Sequence, residues 1–530
     1  MNPGLIVCAD TIHTMDGRSG VTGVAMDGGR IVALGGRVDV AGWRSRGTEL
    51  IDLGDATLVP GLTDSHVHPV LGARVTRGIR LLDVTTLDGM RTAVRSAAAE
   101  LPPGAWVLGW GLDPSIVPAG RFHREMVDDV LDGRPALLRL FDGHSALASS
   151  RALEIAGVTS GRSFDQASEI VCDETGAPTG LLLELAAIAS VDHALPQLDM
   201  ATLAGLVDDA LRSMAAVGIT SAHALEHEDV ADAVYDLLEA RGDLLVRLRC
   251  SPWCLPGTAE PDWSRLAQGQ GRGGRRWTVR GIKLFVDGTI DNGTAWLSAP
   301  DAHGESVASS WPDPTAYGRA VRWFAAQGIP TATHAIGDQG VRYVLDALDG
   351  VGGPARHRIE HIETIPDDLV ARFVASGVTA SMQPTHATDY TKADGSDNWS
   401  IRLGAVRAAQ GWRTRDLRDA GVRVALGSDW PVAACDPRGV LAAARLRRRG
   451  GVLDMAPVQP DQRLTARMAL EGYTTHAAWS VSEESVAGTI TVGKRADLTA
   501  FTLDPLEAPA DELVEAPIVL TVVDGSVTHR

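Results

Sequence analysis

The chain has few cysteines, no long apolar stretch and no surplus of basic residues, and each shortage excludes a class of protein. Its five cysteines (Cys8, Cys172, Cys250, Cys254 and Cys435) are an odd number spread over 530 residues. A disulfide framework needs paired, clustered cysteines in a short secreted chain. Cys250 and Cys254 lie four apart with Pro252 between them, and no second cysteine pair completes a zinc site. They read as buried thiols. No window reaches the ~20 apolar residues of a membrane helix, and the N-terminus lacks the basic start of a signal peptide. The expectation is a soluble, cytoplasmic protein with no membrane partner. Lys and Arg total 49 against 67 Asp and Glu, a net charge of −18. Nucleic-acid partners, which need basic patches to neutralise phosphates, are therefore not expected. The one local basic run, Arg445–Arg449, reads as a solvated helix face. No repeat or low-complexity segment is present, and 45% hydrophobic with 22% charged residues is ordinary globular composition.

What is present is a rhythm. Residues 1–58 alternate apolar and polar positions around Asp-Gly and Gly-Gly turns, the pattern of short antiparallel strands. ADLTAFTLD (496–504) and IVLTVVDGSVTHR (518–530) have the same texture. One small β-sandwich built from both termini, 1–58 plus 486–530, is predicted. From Thr202 on, strands alternate with amphipathic helices, which indicates parallel βαβ units. Counting Asp64–His68 first, the strands fall at 64–68, 219–225, 244–250, 281–286, 330–334, 358–362, 378–383 and 422–427. Eight such units close an α/β (β/α)₈ TIM barrel, here spanning 59–485. Residues from about 70 to 200 are less regular and read as an insertion after the first barrel strand.

In a (β/α)₈ barrel the chemistry sits at the C-terminal ends of the strands. The first strand ends in LTDSHVHPV. Side chains two apart in a strand share a face, so His66 and His68 present two imidazoles together. The fourth strand carries Lys283 in GIKLFVDG, an expensive residue to bury unpaired. The fifth ends in His334 (ATHAIGD), the sixth in His361 (RIEHIE), and the eighth runs into Gly427-Ser428-Asp429-Trp430-Pro431. Each residue alone has a structural reading: a core histidine, or an aspartate capping a helix. Aligned by the barrel register, the six form a metal-binding constellation, since imidazole and carboxylate suit zinc and its first-row neighbours.

The motifs PGLTDSHVH, GWGLDPSIVPAGRF, LLRLFDGHSALASSRAL, IKLFVDGTIDNGTA, THAIGDQG, RIEHIE, SMQPTH, GSDWPV and GTITVGKRADLTAF carry a resemblance over nearly the whole chain. The sequence resembles the amidohydrolase superfamily of metal-dependent hydrolases. Within it, it is similar to amidohydrolase family 3, the YtcJ-like branch that includes N-substituted formamide deformylase. The resemblance implies a barrel plus a β-sandwich from both termini. It implies that His66 and His68 bind a first metal, His334 and His361 a second, and that a carboxylated Lys283 bridges the two. Asp429 would bind metal and act as general base, then general acid, as a metal-activated hydroxide cleaves a C–N bond in an amide, formamide or carbamate-like substrate. One or two divalent ions, Zn²⁺ first among them, are the expected cofactors, and a homodimer is a family expectation. Without the modification of Lys283, one metal held by His66, His68, His334 and Asp429 is the alternative. A mononuclear deaminase and a non-catalytic metal-binding regulator on the same fold stay open as other classes.

Around this centre, His144 (DGHSA), His386 (QPTH) and Trp110 are substrate-side candidates. Asp338 could cap the helix after HAIG or orient His334, and His223 reads as a support behind the ligands. Trp430 reads as pocket wall or core. Asp291 and Asn292 stand where relatives of this type often carry Gly-Ser.

Overall fold

The computed structural model describes residues 3–117, 121–164, 168–228 and 230–530. Positions 118–120 of the GWGLDPSIVPAGRF stretch and position 229 of the helix expected at Glu228–Arg241 lie outside the described residues.

Two parallel sheets form the centre. One is ordered Trp277–Val279, Arg247–Cys250, Ile219–Ala224, Leu62–Val67. The other is ordered Ile282–Phe285, Thr331–Ala335, Arg358–His361, Thr379–Met382, Val424–Leu426. The strands are buried on both faces, as parallel strands covered by helices must be. The eight sequence positions are all strand. The fourth comes in two pieces, because Gly281 at φ 109° turns the chain between them. Its first piece pairs back onto the third strand and its second forward onto the fifth. The sheets meet at both edges, where Val67 bridges Trp430 and Trp253 bridges Lys283 in parallel.

The contact between the first and eighth strands depends on a missing side chain. A Cβ on Gly427 would stand 2.7 Å from the His66 amide nitrogen and 2.9 Å from Asp64 Oδ1. With glycine there, Asp64 Oδ1 accepts both the His66 amide (3.1 Å) and the Ser428 amide (3.0 Å). Burial pushes the Asp64 carboxyl up to about 7.

The termini come together. Strands Arg30–Gly35, Gly23–Asp27, Leu5–Cys8 and Glu49–Asp52 make one sheet. Thr11–Ile12, Thr57–Pro60, Leu498–Phe501, Ile518–Val523 and Ser526–His529 make another. Val7, Met26, Leu58, Leu498, Leu520 and Val522 pack in one apolar cluster between them. Thr499 and Thr521 are cross-strand partners, both fully buried. Their hydroxyls donate to the carbonyls of Gly218 (2.7 Å) and Ala215 (2.8 Å). These carbonyls lie at the C-terminal end of helix Met200–Ala216, where the helix leaves acceptors unpaired.

The insertion is more ordered than its sequence suggests. Helix Leu87–Glu100 falls where expected. Around it lies a seven-stranded sheet ordered Arg162–Phe164, Ser168–Cys172, Pro178–Leu183, Ser145–Ala148, Ala136–Leu140, Val107–Leu112, Ile79–Arg80.

The basic run is not a solvated face. Helix Pro437–Leu446 stops at Arg447, whose φ is 59° and whose side chain is fully buried. Burial lowers its guanidinium to about 10, and its Nε donates to the Val458 carbonyl at 3.1 Å. Arg448 pairs with Asp511 and Arg449 with Asp389. Cys250 and Cys254 are buried free thiols, both raised by desolvation. No described helix is long and apolar enough to cross a membrane.

Thr499→Val keeps the shape of the side chain and strands a buried carbonyl. A loss of about 1–3 kcal/mol of unfolding free energy is expected, read from the urea midpoint at unchanged slope. A loss below about 0.5 kcal/mol would mean that the threonine pair does not fix the terminal sheet to the helix.

Candidate metal centre

The strand ends gather the predicted residues around one carboxylate. Asp429 Oδ1 lies 3.3 Å from His66 Nε2 and 3.2 Å from His68 Nε2. Its Oδ2 lies 3.9 Å from His361 Nδ1 and 3.8 Å from His386 Nε2. Lys283 Nζ is 3.4 Å from His66 Nε2 and sits 5.0 Å over the Phe285 ring. The His334 ring centroid is 4.5 Å from that of His361 and 5.1 Å from that of His144. One donor atom each from His66, His361 and Asp429 fall within 4.8 Å of one another. His361 (φ 73°) and Asp429 (φ 60°) are both left-handed, a costly backbone for side-chain-bearing residues that the packing around them must hold.

Burial decides the charge states. Desolvation, helped by Lys283 and neighbouring imidazoles, holds His66, His334 and His361 well below the usual histidine range. They are neutral, which is the form that binds a metal. Burial also lowers Lys283 to about 8, against the pull of Glu360 and Asp429. Lys283 is one of three lysines in the chain, with Lys392 and Lys494. Burial raises the Asp429 carboxyl, but the bond from His68 and the charges of His68, His386 and Lys283 outweigh it. The result lies below the ordinary aspartate value. His361 Nδ1 and His386 Nε2, both turned toward Asp429, are buried without a hydrogen-bond partner, as is His68 Nδ1. Buried polar nitrogens are rarely left so. Buried imidazoles with unpaired nitrogens around a carboxylate fit a divalent cation.

Other residues not singled out in the sequence orient these groups. Glu360 Oε2 accepts from His66 Nδ1 at 2.9 Å, so Nε2 is the nitrogen turned to Asp429. Arg358 Nε holds the other Glu360 oxygen at 2.6 Å and donates further to His223 Nδ1 (2.8 Å) and the Ser65 carbonyl (2.7 Å). His223 thus stands behind the cluster, as expected. Glu360 is legible in RIEHIE once Arg358 and Glu360 are assigned to one strand face. Glu184, from the insertion, accepts from His144 Nδ1 at 2.7 Å and from Thr294 Oγ1 at 2.6 Å. Burial lowers the His144 imidazole, but Glu184 and Asp142 raise it to about 9.

Asp338 is the candidate that does not reach the site. Its carboxylate accepts the amide and hydroxyl of Ser298 in the first turn of its helix. The role of bracing the His334 loop falls to Asp287. That residue accepts the Ile336 (3.0 Å) and Gly337 (2.8 Å) amides and stands 3.8 Å from His334 Nε2. Trp430 is partly buried against the apolar cluster, its ring against Gly72. Asn292 donates to Asp142, and Asp291 accepts from Asn398 Nδ2 at 3.0 Å.

Two cavities flank the cluster. The larger, about 430 Å³, is lined by Trp110, Trp253, Phe285 and Ile188 together with His66, His68 and Lys283. The smaller, about 50 Å³, is lined by Tyr390, Trp399, Trp412, His386 and Glu363. His144, His334, His361 and Asp429 face both. A concave, mostly apolar space with few convergent polar groups is the usual form of a small-molecule site.

Residues 49–529 match the sequence profile of the amidohydrolase family. The chain is 28% identical to the protein LONG AFTER FAR-RED 3 of Arabidopsis thaliana, over 98% of this chain and 91% of that one. It is 27% identical to N-substituted formamide deformylase of Arthrobacter pascens, over 99% and 98%. A metal-dependent hydrolase of Pyrococcus horikoshii superposes with a TM-score of 0.73 at 23% identity, covering 96% of this chain and 99% of that one. That likeness gives the α/β amidohydrolase (TIM-barrel) fold.

Glu360→Gln removes the charge that fixes His66 and leaves Arg358 without its partner. Metal affinity is expected to fall by about 10–100-fold in chelator competition, with the circular dichroism spectrum unchanged. Unchanged affinity would separate the Glu360–His66 bond from metal binding.

Proposed function

The chain belongs to the amidohydrolase family, and we propose that it is a metal-dependent hydrolase of a C–N bond in an amide, N-substituted formamide or carbamate-like substrate. The observation that carries this reading is the convergence of buried imidazole nitrogens without hydrogen-bond partners on Asp429 beside a 430 Å³ cavity. The relative named N-substituted formamide deformylase supports the bond class. The two parallel sheets, bridged at both edges, read as one (β/α)₈ barrel over 59–485. The two terminal sheets read as a β-sandwich of 1–58 plus 486–530.

His66, His68, Lys283, His334, His361 and Asp429 would hold one or two divalent ions. Zn²⁺ suits these donors, and a carboxylated Lys283 would link the His66–His68 and His334–His361 halves of the cluster. Such an ion, when bound, supplies Lewis acidity to a carbonyl and acidifies water. The chain's own residues do the rest. Asp429 takes a proton at its carboxylate as water attacks and returns it to the leaving nitrogen, so that an acid and an amine are released. Glu360 keeps the His66 imidazole in register. His144, held by Glu184, faces the substrate side from the insertion, and His386 faces the smaller cavity. Trp110, Trp253 and Phe285 keep bulk water from the reacting groups.

The compactness of the triad His66, His361 and Asp429, within 4.8 Å, favours a second reading with one ion and an unmodified Lys283, as in a mononuclear hydrolase or deaminase.

Metal equivalents per chain, measured on protein purified without chelator and with bicarbonate, separate the readings. About two equivalents are expected with a carboxylated Lys283, and about one with the triad alone. None after reconstitution would favour a non-catalytic role. Asp429→Asn should keep the fold and lower kcat/KM on simple N-acyl or N-formyl amides by about 10²–10⁴-fold. Near-normal turnover in that variant would sink the assignment of Asp429 as the proton carrier.

A further inference from the structure

The larger cavity does not end at its apolar wall. A second cavity of about 270 Å³ adjoins it, and Leu71, Arg74, Val75, Arg139, Asp192 and Glu228 line both. The junction lies where the insertion meets the helix after His68. Its apolar surface comes from Leu108, Leu137, Leu195 and Leu203. Its charges do not balance. Arg139 reaches both oxygens of Asp192 from a single nitrogen, Nη2, at 2.5 and 2.6 Å. Arg74 pairs with Glu228. Arg77, also in the lining, donates from Nε to the Arg74 carbonyl at 2.8 Å and has no carboxylate in ion-pair reach among the described residues. It is half-buried, and burial together with Arg74 and Arg139 lowers its guanidinium against the pull of Asp192. Among the described residues, three guanidinium groups thus face two carboxylates, in a chain whose net charge is −18. A half-buried arginine that repels its neighbours needs an anion to repay its desolvation.

From this geometry we infer that the substrate carries a carboxylate at the far end of an apolar arm, received by Arg77 in the second cavity, beyond the Arg139–Asp192 pair at the junction. The inference rests on the larger cavity being the substrate site. The scissile bond then lies at the histidine cluster, and the arm runs past Trp110 and Ile188 to the arginines. Arg77 acts in selection and takes no part in the chemistry. A planar guanidinium whose Nη groups make no hydrogen bond among the described residues suits a carboxylate better than a hydroxyl or an alkyl end.

The test pairs two amides with the same arm, 6-acetamidohexanoate and N-hexylacetamide, on the metal-loaded enzyme. The wild type should prefer the acid. Arg77→Met should lower the acid-over-neutral ratio of kcat/KM by about tenfold, through KM and not kcat, and Arg77→Lys should restore part of it. Thermal melting checks that both variants fold. The ketones 8-oxononanoate and 2-nonanone have no C–N bond to cleave, and calorimetry compares their binding. If neither amide is turned over but the acid ketone binds more tightly and Arg77→Met abolishes the difference, the carboxylate site stands and the C–N reading falls. A wild type without preference in either assay, or an Arg77→Met effect equal for acid and neutral probes, overturns the inference.

Discussion

Glu360 accepts the Nδ1–H of His66 at 2.9 Å with both side chains buried, and Arg358 braces the other carboxylate oxygen at 2.6 Å. A charge so placed is costly unless each oxygen is satisfied, and leaving either partner alone would cost more than the pair gains. The pair therefore constrains everything near it. Arg358 must also hold His223 and the Ser65 carbonyl, which ties the sixth strand to the first and second. His66 must present Nε2 to Asp429. Asp429 must then take a left-handed backbone at the end of the eighth strand. Burial does the remaining work by holding His66, His334 and His361 well below the usual histidine range.

The outer parts of the fold serve this centre by bringing strand ends to one level. Gly427 lets the eighth strand approach the first until Asp64 accepts an amide from each. Glu226 accepts the Val70 and Leu71 amides at the start of the helix after His68, fixing where that helix leaves the strand. Burial raises this carboxyl to about 8, and those two amide donors oppose the rise. The terminal sheets act at the opposite end, through the threonine pair on the helix that leads into the second strand. A cluster made from five separate strands needs such bracing, because a shift of one strand end would move one side chain without the others.

The parallel core was legible because its signals are local. Strand–helix alternation over 202–427 and the two-residue spacing of His66 and His68 survive without knowledge of partners. The insertion was not, because its order comes from pairing. Val107–Leu112 lies between Ala136–Leu140 and Ile79–Arg80, and Ser168–Cys172 pairs on both sides through a register shift. None of these segments shows a clean alternation. Asp338 follows His334 closely in sequence, yet its carboxylate turns to Ser298. Asp287, just past the end of the preceding strand, faces the loop instead and accepts its Ile336 amide. Arg447 misleads for a related reason. A run of arginines suggests solvent, but a left-handed stop at the helix end turns one of them inward.

These placements divide the labour. The parallel strands contribute Lys283, His66, His334 and His361, each fixed by its register. The insertion contributes Trp110, Arg139, His144 and Ile188 to the larger cavity. Its sheet has its own apolar cluster around Leu112, Leu138 and Leu147, separate from that of the parallel strands. Changes on its cavity-facing surface therefore need not disturb the strands that hold the histidines. His144 is the exception, since Glu184 binds both it and Thr294, a residue of the loop that follows Lys283. Through that contact the position of the insertion is coupled to the fourth strand. A substitution at Glu184 should accordingly affect chemistry and selectivity together, whereas the arginines at the far end of the cavity are set apart from the histidine cluster by apolar wall.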